Sequence, residues 1–296
     1  MKKRPFLMAF LLVGSVFLFF FLSVLVITTF LGRPTAFPVG DKVAVLEVEG
    51  IISSSRAVNE RLIDLREDDS VKAIILRIDS PGGAVGPSQE IYTEVKRAAK
   101  VKPVVASMGS VAASGGYYIA APAQRILANP GSITGSIGVI MEFTNIEELL
   151  GKVGLKSQVV KSGEHKDIGS PTRPMTEKDR RIIQALIDDV HRQFMTAVAE
   201  GRKMDLNKVE ALADGRVFTG NQALKAGLVD ELGNLQDAIR VAGKLGGIEG
   251  EPSVIYPTRR EPKLVDYLLE RTATYLKQAV QSEARYGLQL LWTGIE

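Results

Sequence analysis

The chain has 296 residues, 45% of them hydrophobic and 24% charged, with a formal net charge of +3. That length allows one or two domains and a sizeable core, and so small a net charge, carried by basic residues spread along the chain, argues against a nucleic-acid partner. The lack of cysteine excludes a thiol nucleophile, a disulfide framework and a Cys-ligated metal, and two histidines, His165 and His191, leave little room for a His-rich metal centre.

Residues 5–32, PFLMAFLLVGSVFLFFFLSVLVITTFLG, hold no charged residue. A helix rises about 1.5 Å per residue and about 20 residues cross a bilayer core, so this run predicts one N-terminal transmembrane helix. It exceeds the roughly 7–15-residue apolar core of a cleaved signal peptide, and GRPTAFPVG offers no convincing small-x-small cleavage site, so an uncleaved anchor is expected. Lys2, Lys3 and Arg4 precede the run and only Arg33 follows closely. The positive-inside rule then keeps the N-terminus in the cytoplasm and places the rest across the membrane, touching lipid through the anchor. The expected divisions are 1–32 for tip and anchor, 33–41 for a Pro/Gly linker, 42–250 for a folded domain and 251–296 for a tail.

Strand patterns are predicted at 43–52, 73–78, 104–108, 125–130 and 157–162, and helices at 55–68, at 88–100 capped by Ser88, and near 114–122. Alternating strands and helices read as an α/β fold of β-α-β units on a mainly parallel sheet. From Thr176, the expected N-cap, Ile183, Leu186, Ile187, Val190, Phe194 and Val198 recur three or four apart, the stripe of a long amphipathic helix. His191 lies mid-helix among polar neighbours and is expected to face solvent. Residues 215–247 read as a short strand, a helix, a turn and a helix.

Four stretches could carry chemistry, and each has a plainer reading. In RIDSPGGAVGPSQE (77–90) a buried strand ends in a glycine turn. Such a turn can expose N–H groups to a developing oxyanion or simply lead into a helix. In VAASGGYY (111–118) Ser114 opens a helix, where a serine is either a cap or a nucleophile with the Gly115 N–H beside it. A nucleophilic serine needs a base, and Lys166, in SGEHKDIGSP beside His165, is either a solvated surface lysine or that base. To serve near neutral pH a lysine must drop roughly 3.4 units from about 10.4, about 4.6 kcal/mol, which burial can supply. In ANPGSITGSIGVI (128–140) Ser132, Thr134 and Ser136 serve turns or line a pocket.

The order DSPGG, AASGGYY, ANPxxxTGSIGV, GxxKDxxSPxR and GLVDELG resembles the signal peptide peptidase A family in its short, single-repeat bacterial form, over residues 40–245. The motif positions show no departure, and the tail after Gly250 matches none. The resemblance implies a Clp protease/crotonase-like fold over 42–250, preceded by the membrane helix, and a serine endopeptidase that needs no cofactor or metal. It implies Ser114 as nucleophile, Lys166 as general base, Ser136 holding the lysine amine, and the Gly83 and Gly115 N–H groups as oxyanion hole. It further implies a homo-oligomeric, dome-shaped ring at the bacterial cytoplasmic membrane. There the serine and lysine of one site can come from neighbouring subunits, and the substrates are released signal peptides. His165 stands as the fallback base. The competing readings are a related Ser-Lys protease acting on a stomatin-like partner, an acyl-CoA enzyme of the crotonase type, and a non-catalytic membrane scaffold.

Overall fold

The structure is a computed structural model describing residues 12–23 and 40–257. The chain divides into two units, Met1–Asp41 and Lys42–Glu296. In the first, residues 12–23 are helical (α1), with Phe17, Phe19, Phe20 and Phe21 exposed. The rest of the expected anchor, residues 5–11 and 24–32, lies outside the described residues, among which no helix is long and apolar enough to cross a membrane.

The second unit opens with β1 (Lys42–Glu49), α2 (Arg56–Glu67), β2 (Val71–Ser80), α3 (Val85–Ala98), β3 (Val104–Ala113), α4 (Gly115–Ala120), β4 (Arg125–Ala128) and β5 (Ile133–Gly135). It continues through α5 (Glu147–Lys152), α6 (Glu177–Arg202), α7 (Leu206–Glu210), β6 (Val217–Thr219), α8 (Gly220–Ala226), β7 (Glu231–Leu232), α9 (Leu235–Leu245) and β8 (Ser253–Ile255). The sheet order is β6-β5-β3-β2-β1-β8, with β4 pairing β3 and β7. All of its pairings are parallel except β5 with β6.

The continuous apolar run of β2 follows from burial on both faces, the usual state of a parallel sheet between helices. Because side chains alternate along a strand, Leu46, Ile74, Leu76 and Ile78 meet Ile91, Val95 and Tyr117 of α3 and α4 in one core layer. Val43, Val45, Ala73, Ile75 and Val105 meet Ala238, Ile239 and Ala242 of α9 in the other.

Four details differ from the sequence reading. Residues 157–162 form no strand, and Val160 is fully exposed, so alternation there has no core to face. Helix α3 begins at Val85, with Ala84 rather than Ser88 at its N-cap, because Pro87 fits a first turn whose N–H groups lack helical partners anyway. Ser88 instead donates to the Ala84 carbonyl at 2.9 Å. Thr176 does cap α6, in a capping box with Asp179, yet only Phe194, Ala197 and Val198 of the apolar stripe region are buried, and Leu186 is exposed. The sheet also takes in Ser253–Ile255 beside β1, just past residue 250.

Candidate active site

The carboxyl ends of β1, β2, β3 and β5 lie on one edge of the sheet, the edge where open α/β sheets bind ligands. Ser114 leaves β3 there with φ 52° and ψ −120°, a strained conformation for a residue with a Cβ. A strand-to-helix turn of this kind lifts a serine hydroxyl clear of the sheet. The turn is fastened on both sides: the Ser114 N–H donates to the Gly135 carbonyl at 2.8 Å, and the Ser114 carbonyl accepts from the Tyr118 N–H at 2.9 Å. Ser114 occupies the N-cap position of α4, but its side chain makes no cap hydrogen bond. The capping reading is therefore not realised.

Glycine is required around this turn for space. At Gly82, φ +103°, a Cβ would stand 2.7 Å from the Gly115 nitrogen and 2.9 Å from the Ser114 Cβ. At Gly83 it would strike the Ile52 carbonyl oxygen at 2.2 Å. A Cβ on Gly115 would lie 3.2 Å from the Gly83 nitrogen, so the two glycines face each other beside Ser114. Neither the Gly83 nor the Gly115 N–H donates a hydrogen bond to any described residue. Two open donors next to one hydroxyl are the geometry an oxyanion needs. Asp79, at the start of the same turn, accepts from the Ser110 and Val111 N–H groups at 3.3 and 3.1 Å and ties β2 to β3.

The hydroxyl-rich stretch before β6 divides by role. Ser132 and Thr134 are buried and donate to the Gly109 and Ala112 carbonyls at 2.6 and 2.7 Å, holding β5 against β3. Ser136, with φ 50°, lines the same cavity as Ser114, Gly83 and Gly115. This cavity, of about 480 Å³, is otherwise walled largely by Val85, Tyr118, Val139, Ile140, Val190 and Phe194. Asp214 is also on its wall. The Arg216 guanidinium beside it holds its carboxyl down to about 2, so Asp214 is ionised but too weak a base for serine chemistry.

His191 corrects the sequence reading. It lines the Ser114 cavity, and its Nε2 is buried without a hydrogen-bond partner among the described residues. The polar sequence neighbours misled because α6 turns Val190, His191 and Phe194 inward together while Asp189, Arg192 and Gln193 stay out.

Lys166 is not brought to Ser114 within one chain. It is exposed, does not line the cavity, and its side chain has no partner among the described residues. The loop that carries it is nevertheless fixed. Arg173 donates to Asp167 at 2.9 Å through Nε and to Asp179 at 2.7 Å through Nη1, and Lys161 pairs with Asp167 at 2.6 Å. The Arg173 guanidinium, then Lys161, holds the Asp167 carboxyl well below the usual carboxylate range, and Arg173 does the same to Asp179. His165 Nδ1 lies 3.3 Å from Asp179 Oδ1, on this loop rather than in the Ser114 cavity. The fallback base is thus occupied elsewhere.

The GLVDELG stretch proves to be a brace. The buried Tyr117 hydroxyl donates to the Leu228 carbonyl at 2.9 Å, tying α4 to it. Asp230 accepts from the Ile126 N–H at 2.7 Å and from Arg202 at 2.6 Å.

Residues 96–249 match the model of peptidase family S49, and residues 44–132 match that of Clp protease. The chain is 47% identical over 223 residues to a protein of Synechocystis sp. provisionally named a protease, covering 75% of this chain and 80% of that one. It is 38% identical over 212 residues to an Enterococcus faecium protein provisionally named signal peptide peptidase SppA, covering 67% of this chain and 62% of that one. It is also 38% identical over 208 residues to Protease 4 of Salmonella typhi, covering 70% of this chain but only 33% of that longer one.

Proposed function

Because the chain belongs to peptidase family S49 and carries a Clp protease-like α/β fold, we propose that it is a serine endopeptidase in which Ser114 is the nucleophile and Lys166 of a neighbouring subunit is the general base. The observation that carries this reading is the strained Ser114 turn flanked by two undonated glycine N–H groups. Ser114 Oγ attacks the scissile carbonyl carbon and its proton passes to the uncharged lysine amine. The carbonyl oxygen takes the electron pair and is held by the Gly83 and Gly115 N–H groups. As the tetrahedral species collapses, the C–N bond breaks and the lysine returns the proton to the leaving amine. Water then repeats the sequence on the acyl-enzyme. Ser136, on the wall of the same cavity, orients the arriving amine.

The subunit-sharing part of the reading is supported by the exposure of Lys166 on a loop that is itself rigidly fastened. A neighbour would exclude water from the amine, which is what a lysine base requires. The apolar cavity wall supports apolar peptides as substrates, and released signal peptides are of that kind. The uncharged run 5–32 supports a single-pass anchor in the bacterial cytoplasmic membrane, with the catalytic unit on the extracytoplasmic side.

The test uses the full chain and an apolar fluorogenic peptide. Ser114→Ala and Lys166→Ala should each abolish turnover while leaving assembly intact, and retained turnover in either contradicts the assignment. Alkaline carbonate extraction of expressing cells tests the anchor, which predicts the chain in the membrane pellet; release into the supernatant would contradict it.

A further inference from the structure

His191 is not used by the mechanism, yet it occupies the Ser114 cavity. It sits between Val190 and Phe194 on the α6 wall, where the lining is otherwise mostly apolar. Its Nε2 is buried with no hydrogen-bond partner, and neither ring nitrogen is bonded to any described residue. A buried donor or acceptor left without a partner destabilises the fold. Histidine offers α6 no helix propensity in return, since leucine is the better helix former. Buried unsatisfied groups are rare enough in folded proteins that each calls for a cause.

A role as the base is disfavoured by what surrounds the ring. A histidine that takes a proton from serine is oriented through its second nitrogen, commonly by a carboxylate. His191 has no such partner among the described residues, and Asp214, on the cavity wall, is engaged by Arg216. The cavity suggests a different use. A peptide whose side chains are apolar still carries a main-chain N–H and C=O at every residue. These groups lose water on entering an apolar cleft and must find partners there. A neutral imidazole donates from one ring nitrogen and accepts at the other, according to tautomer.

We propose that His191 is a substrate-binding residue whose imidazole hydrogen-bonds a main-chain group of the peptide lying in the Ser114 cavity. The role rests on the reading of Ser114 as nucleophile. It makes the site selective for an extended peptide backbone over small acylating molecules that reach Ser114 alone.

Two rates measured on the full chain test it: kcat and KM for an apolar fluorogenic peptide, and the labelling rate of Ser114 by a small alkyl fluorophosphonate. His191→Leu fills the same space without a polar atom. It should melt no lower than the parent, while kcat/KM for the peptide falls about 5- to 50-fold, mostly through KM. Fluorophosphonate labelling should change less than about twofold. His191→Gln, which restores a polar side chain on this wall, should recover most of the peptide kinetics. Unchanged peptide kinetics in His191→Leu would overturn the proposal. So would labelling slowed as far as in Lys166→Ala, which would make His191 part of the proton transfer. No labelling of Ser114 in the parent chain would refute the nucleophile assignment itself, a separate result.

Discussion

Ser114 and Ser136 leave two neighbouring parallel strands at the same level of the sheet, and both do so at positive φ, 52° and 50°. The last paired residues are Ala113 and Gly135, and the Ser114 N–H closes the ladder on the Gly135 carbonyl at 2.8 Å. Adjacent strands run about 4.8 Å apart, so the two serines form a matched pair at the mouth of one cavity. On the proposed mechanism, an amine arriving between them would meet one hydroxyl to deprotonate and one to orient it.

The conformation of Ser114 predicts a conflict between stability and function. Ser114→Gly removes the steric cost of φ 52° and should raise stability by about 1 kcal/mol, seen as a melting temperature about 2–4 °C higher. Peptidase activity should fall at least about a thousandfold because the hydroxyl is gone. A lower melting temperature for the glycine variant would show that the turn is not strained.

Gly82 tests the packing beneath the nucleophile. A methyl group there would press on the Gly115 nitrogen and the Ser114 Cβ and would adopt φ +103°. Gly82→Ala should lower kcat about 100- to 1,000-fold, the loss typical of a displaced oxyanion donor. Steady-state kinetics check this, and a wild-type kcat would exclude the two glycine N–H groups from the oxyanion site.

Much of this was legible in the sequence, because strand and helix periodicity registers burial. The continuous apolar run at 73–78 reads as a covered strand, and Thr176 marks the start of α6 by residue type. What escaped was set by neighbours distant in sequence. β5 has three residues and exists because β3 and β6 flank it. His191 reads as polar surface until the curvature of the fold turns its side of α6 toward Ser114. Tyr117 and Leu228, 111 residues apart, meet through one hydrogen bond that no local pattern announces.

The acid response of the Lys166 loop follows from Arg173. Asp167 and Asp179 are both held below the usual carboxylate range, so their pairing stabilises the fold fully above the unfolded value of about 3.9. That stabilisation is lost as pH falls through the depressed folded values. Arg173→Gln should therefore melt below the parent by a constant margin between about pH 5 and 8, and the margin should shrink below about pH 4. Thermal melts across this range decide it; a margin as wide at about pH 2 as at neutrality would refute the ion-pair origin.

Tyr117 separates scaffold from chemistry. Burial pushes its phenol up, so it remains a donor to the Leu228 carbonyl at 2.9 Å. Tyr117→Phe leaves that buried carbonyl unpaired and should cost about 1–2 kcal/mol, a drop of about 2–8 °C in melting temperature. At temperatures where the variant is folded, kcat/KM should stay near that of the parent, and a large kinetic loss would place Tyr117 closer to the reaction than its position indicates.

Mixing two dead variants addresses the central proposal most directly. Ser114→Ala and Lys166→Ala chains, each inactive alone, are dissociated, combined in equal amounts and reassembled, and peptide turnover is measured. If each site takes its serine from one chain and its lysine from the next around a ring, random mixing rebuilds about one quarter of the sites and turnover returns to about that share of the parent's. Mixed assemblies as inactive as either variant alone would mean that Lys166 of a neighbour does not serve Ser114.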